Sequence, residues 1–141
     1  MKWKFIKFSV LLILIFVLSG QPISAAGKTQ KVKVTFVSAT LVQNNSVGNE
    51  WWWGGFVNGK ELSDGSSVTI KADSNGSIKL RAEAQEQDKY PDDGATNATV
   101  KLSSFKSSIN KKMTVTVVEN RGRYSGNTAK WEFVFKLEKI K

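Results

Sequence analysis

TAKWEFVFKLEK, residues 128 to 139, decides the kind of structure this chain builds. Ala129, Trp131, Phe133, Phe135 and Leu137 take every second position, and Lys130, Glu132, Lys136 and Glu138 lie between them. A period of two places the apolar set on one face of a β-strand and the charged set on the other, whereas a helical period would scatter both.

The same period recurs upstream. Val32, Val34 and Phe36 oppose Lys33 and Thr35 in a strand over Lys31 to Val42, and Ile78, Leu80, Ala82 and Ala84 oppose Lys79, Arg81 and Glu83 over Ser77 to Glu86. Trp51 to Val57, Ser67 to Ala72, Ala98 to Phe105 and Met113 to Glu119 read as further strands. Asn58-Gly59 is a two-residue hairpin signal, because both residues accept positive φ. It makes a short returning strand at Lys60 to Ser63 plausible in chemical terms. No segment carries a helical period. The sequence therefore predicts an all-β fold, an antiparallel two-sheet β-sandwich of seven to eight strands.

That domain is expected over residues 27 to 141, behind a cleaved signal peptide at 1 to 26. Lys2, Lys4 and Lys7 form a positive start, Val10 to Leu18 an apolar run too short to span a bilayer, and Ser24-Ala25-Ala26 a small-residue cleavage site. Losing the three lysines with the leader lowers the formal net charge from +9 to +6. A cationic, secreted protein is drawn to an anionic membrane or cell-wall polymer. The chain has no Cys, so an exported domain must be held by its core alone. With the short Lys-rich leader, this composition suits a bacterial, Gram-positive source. The chain also has no His, which excludes Ser-His-Asp and Cys-His catalysis and the usual zinc sites. A small sandwich leaves little room for a substrate cleft, so the expectation is a protein that is not an enzyme.

Alternating strands send successive loops to alternate ends. If Lys60 to Ser63 is a strand, the loops at 43 to 50, 64 to 66, 87 to 97 and 120 to 127 share one end, where Asp64 would join the long loops. Five carboxylates lie between Glu83 and Asp93. Glu86, Asp88, Asp92 and Asp93, with Asn45 and Glu50, could offer Ca2+ the oxygen shell it needs. The alternative is a Pro-led turn at Tyr90-Pro91-Asp92-Asp93-Gly94 whose acids face water or pair with Arg121 and Arg123. Those arginines, beside Tyr124 in the last loop, could instead bind phosphate or carboxylate in fork geometry.

Trp51, Trp52 and Trp53 raise a separate question, since a strand turns the middle one away from its neighbours. Core packing, a stacking platform for a sugar ring and insertion at a lipid interface are the open readings. Nucleic acid is not an expected partner, because the basic loops do not interleave aromatics as single-strand binders do.

ATLVQNNSVGNEWWWGGFVNG at 39 to 59 resembles the first loop of C2 domains, with an Ala-x-Leu strand end and an acid before an aromatic strand. EQDKYPDDGATNATVKL at 86 to 102 is similar to their third loop, where spaced aspartates precede a Gly and a strand. The likeness covers about two-thirds of the chain after the leader. It implies an eight-stranded, C2-like sandwich that binds calcium at one end and docks to anionic membranes. Asn45 and Glu50 stand where the family has first-loop aspartates, which weakens the implied ion site. The leading expectation is a secreted binding module making a calcium-assisted association with an anionic cell surface. A secreted antibacterial or competition protein and a carbohydrate-binding module for cell-wall glycan are the alternatives.

Overall fold

The structure, a computed structural model, describes residues 27–141, and the expected signal peptide lies outside the described residues. Eight strands follow in chain order: β1 (Thr29–Asn44), β2 (Trp51–Val57), β3 (Lys60–Leu62), β4 (Ser67–Asp73), β5 (Ser77–Glu86), β6 (Asp92–Lys101), β7 (Ser108–Val118) and β8 (Thr128–Ile140). They form two four-stranded antiparallel sheets, β4-β1-β8-β7 and β3-β2-β5-β6, packed as a sandwich.

β8 is central in its sheet, and its alternation sets the core. Phe133, Phe135 and Leu137 are fully buried, and their partners on β1 include Ala39, Phe36 and Val34. The Phe36 ring stacks on Phe135 at 5.1 Å and on Phe133 at 5.9 Å. Each such side chain contributes about 1.5–3 kcal/mol by leaving water, which is how a domain with no disulfide is held. β1 carries two bulges against β8, between Phe36 and Ser38 and between Leu41 and Gln43. Each inserts a residue out of alternation, so Val37 and Val42 stand 44% and 57% exposed while Ala39 and Leu41 still pack inward.

Where β6 faces β7 the two sheets are in close contact. A Cβ on Gly94 would lie 2.3 Å from the Thr116 carbonyl oxygen, so only glycine admits this backbone contact. Thr96 Oγ1 donates to the Thr114 carbonyl at 2.6 Å beside it. The Asn58-Gly59 turn forms as its residues require, with φ of 49° and 81°, and returns the chain into the short β3.

Two expectations are corrected. β6 begins at Asp92 rather than Ala98, and it ends at Lys101, where a 3-10 turn over Leu102–Ser104 follows. The acidic segment is thus mostly strand, because its pairing with β5 continues to Glu86↔Asp92. The 64–66 loop runs in the expected direction but stops half-way along β1. The Phe36 amide donates to the Ser66 carbonyl at 3.0 Å, and the Gly65 amide to the Phe36 carbonyl at 2.8 Å. Asp64 therefore stands well short of the end at which Asn44 leaves the sheet.

Candidate functional site

Three long loops, 45–50, 87–91 and 119–127, meet at one end of the sandwich, as the strand count predicts. The Asn45 amide bonds the Thr128 carbonyl at 3.1 Å, and the Gln87 amide bonds the Glu50 carbonyl at 2.6 Å. Asn44 shapes the first loop: its Oδ1 accepts from the Val47 amide at 3.0 Å and its Nδ2 donates to the Gly48 carbonyl at 2.7 Å. Val47 is thereby pressed into the core.

The acids of this end are consumed by the loops themselves. Asp88 Oδ1 accepts from the Tyr90 amide at 2.6 Å, and Glu119 Oε1 from the Arg121 amide at 3.2 Å. Glu86 Oε2 accepts from the Asp88 amide at 3.2 Å. Asp92 Oδ1 takes both the backbone and side-chain amides of Asn120, at 3.3 Å and 2.7 Å, and so joins β6 to the last loop. Glu86 and Asp92 are cross-strand partners turned inward and buried. Burial pushes the Glu86 carboxyl above its ordinary range, with the Asp88 and Glu119 charges adding to the effect and backbone hydrogen bonds opposing it.

Period-two geometry then disperses the expected calcium ligands. Asp92 faces the core and Asp93 the outer surface, Glu86 is buried, Asp88 is tied to its own loop, and Asn45 and Glu50 are exposed on the first loop. Among the described residues no three acidic side chains gather so as to hold a metal ion. The sequence grouped these acids by proximity along the chain, and a strand starting at Asp92 separates neighbours onto opposite faces.

The arginines have the opposite fate. Among the described residues neither Arg121 nor Arg123 forms an ion pair, although acids lie in the same loops. Arg121 instead lies over the Tyr90 ring with its guanidinium carbon 4.5 Å from the centroid, and Arg123 lies 5.7 Å from the Tyr124 centroid. Both tyrosines are about half exposed, at 50% and 49%. Arg121, Arg123 and Tyr124 line a cleft of about 660 Å3 with Asn44, Gly48 and Asn49, and Asp88 and Glu119 stand at its wall. In the sequence Tyr90 reads only as a turn residue before Pro91, and nothing there points to its contact with Arg121. Its role depends on a loop about thirty positions away.

The tryptophans divide as alternation requires. Trp51 and Trp53 turn inward against Trp131, with ring centroids 5.5 Å and 4.9 Å from it. Trp51 Nε1 also donates to the Gly48 carbonyl at 3.2 Å, bracing the first loop. Trp51 packs against the core, whereas Trp53, which touches Trp131 at the sheet margin, remains 38% exposed. Trp52 points out of the sheet on the opposite face, over Gly54, and does not line the loop cleft.

No protein-family model matches the chain, and no curated protein does either. The eight-stranded sandwich has the general form that the C2 resemblance implies, and nothing in it ties the chain to that family.

Proposed function

We propose that this protein is a secreted, non-catalytic binding module that holds a phosphate- or carboxylate-bearing polymer of the cell surface in its long-loop cleft. The observation that carries this reading is the pair of guanidiniums lining the loop cleft, without acid partners among the described residues and each laid against a tyrosine. An aromatic face fixes the planar group and leaves its N–H edge directed outward, which is what bidentate capture of an oxyanion needs. The acids supply loop structure, so the reading gives calcium no part in the site. It keeps the association with an anionic surface that the charge of the chain favours, and it moves the work from carboxylates to arginines. Non-catalytic action is consistent with acids engaged by backbone amides and with a chain lacking His and Cys.

The test is binding of the purified protein to soluble poly(glycerol phosphate) and, separately, to phosphatidylcholine vesicles with and without phosphatidylglycerol. Charge-assisted hydrogen bonds contribute about 1.5–3 kcal/mol each, so the Arg121→Ala/Arg123→Ala variant is expected to bind at least about tenfold more weakly. Binding to the soluble polymer alone identifies a wall polymer, and binding only to phosphatidylglycerol vesicles identifies a lipid headgroup. Equal binding by the double variant and the wild type would remove the cleft from the function.

A further inference from the structure

We propose that the outer surface of the β3-β2-β5-β6 sheet binds a neutral pyranose sugar, with the Trp52 indole as its stacking platform. The inference is independent of the arginine cleft.

Trp52, Gly54 and Phe56 are the three residues of β2 that point outward. A Cβ on Gly54 would come within 2.9 Å of Trp52 Cη2 and 3.0 Å of Phe56 Cε2. The indole and the phenyl ring therefore meet over Gly54 and lie along the strand, half-buried, with the sheet beneath them. An aromatic ring packed over its own strand in this way has less side-chain freedom to lose when a ligand arrives, so stacking costs less ordering. Its apolar surface fits the C–H face of a sugar ring, which is the only broad apolar surface a saccharide offers.

The register surrounds this platform with polar groups of both kinds. Trp52 pairs with Gln85, which pairs with Asp93; Phe56 pairs with Arg81, which pairs with Asn97. Adjacent strands are about 4.8 Å apart, so Gln85 lies at the rim of the indole and Asp93 one step beyond. A depression of about 100 Å3 beside Trp52 is bordered by Glu83, Gln85 and Asp93, with room for the hydroxyl edge of a sugar rather than for a whole ring. A hydroxyl both donates and accepts, and it is met here by carboxylates that accept, a guanidinium that donates and amides that do both.

Charge selects the class of ligand. Arg81 is paired with Glu83 and hydrogen-bonded to Asn97, which among the described residues leaves Asp93, beyond Gln85 from Trp52, and Glu61, the cross-strand partner of Phe56, without ion pairs. An anionic polymer would be repelled, so this face suits a neutral glycan while the arginine cleft suits an acidic one. The pattern accounts for a large aromatic residue left outside the core on β2, at a point where that strand is the edge of its sheet because β3 pairs only with Gly55, Phe56 and Val57.

Calorimetric titration of the purified protein with chitohexaose and with cellohexaose tests the proposal. Saturable binding of at least one is expected, weakened at least tenfold by Trp52→Ala, weakened by Gly54→Ala, and unchanged by Arg121→Ala/Arg123→Ala. Circular dichroism checks the fold of each variant. If Trp52→Ala does not fold, Gln85→Ala and Asp93→Ala must weaken binding instead. No saturable binding of either oligosaccharide, undiminished binding by folded Trp52→Ala, or binding of tetramethylammonium in place of sugar would each overturn it.

Discussion

Where β6 meets β7 the two sheets touch at the backbone, with Gly94 letting the Thr116 carbonyl into a space that any side chain would fill and Thr96 Oγ1 donating to the Thr114 carbonyl beside it. At the long-loop end it is held by side chains against backbone: Asp88, Glu119, Asp92 and Asn44 each satisfy amides of irregular chain. The two regions use polar atoms differently. Strand pairing satisfies its own N–H and C=O groups, so its side chains are free to pack. Loops have no ladder and must borrow acceptors, and here they borrow nearly every acid within reach. Among the described residues the arginines beside them form no ion pair and lie against tyrosines instead, and on the proposed reading that charge is what the end offers a ligand.

The largest expected effect breaks the first region. Gly94→Ala forces β6 from β7 and should cost about 2–3 kcal/mol, at the upper part of the usual range for overpacking. The midpoint of chemical unfolding reads this directly. Asp92→Ala should come next, at about 1–3 kcal/mol, because it removes the acceptor of both Asn120 amides and leaves the last loop without its tie to β6. Asp88→Ala removes one exposed capping bond, at about 1 kcal/mol or less by the same measurement.

Glu86→Gln should act in the other direction and by less. Its folded-state pKa is raised, so the folded state favours the protonated acid. The stabilising contribution of that proton is present below the ordinary carboxylate pKa and is lost as pH rises through the folded value. At neutral pH the amide variant, which carries no charge to desolvate, should be the more stable. Thermal melts should show this advantage shrinking as pH falls below the carboxylate range. Arg121→Ala/Arg123→Ala should leave the melting temperature almost unchanged, since among the described residues neither side chain pairs with an acid. A stability effect as large as that of Asp92→Ala would mean that the arginines belong to the scaffold.

The contrast also accounts for what could be read in advance. β8 and β5 were legible because burial on one face forces a strict alternation, and the Asn58-Gly59 turn because its backbone demands particular residues. Meeting of the three long loops followed from strand parity alone. The bulges at Val37 and Val42 break alternation and left the end of β1 short by two residues in the sequence reading. Extension of β6 to Asp92 escaped notice because Asp-Asp-Gly-Ala-Thr-Asn carries turn chemistry, and pairing to β5 overrode it. That override is also why Asp92 and Asp93 part company. The candidate site was only partly legible: Arg121, Arg123 and Tyr124 were recognised as one loop, while the engagement of the acids by backbone amides depends on loop geometry that spacing does not encode. Trp52 was separable from its neighbours by period two, and its partners Gln85 and Asp93 became visible only through register.

The most direct measurement is the affinity of the purified protein for soluble poly(glycerol phosphate), taken by calorimetry in EDTA and again in millimolar calcium. Engaged acids and free arginines predict the same affinity in both buffers, falling as salt is added because the contacts are ionic. Binding that appears only with calcium would return the acids to a ligand shell and contradict the account.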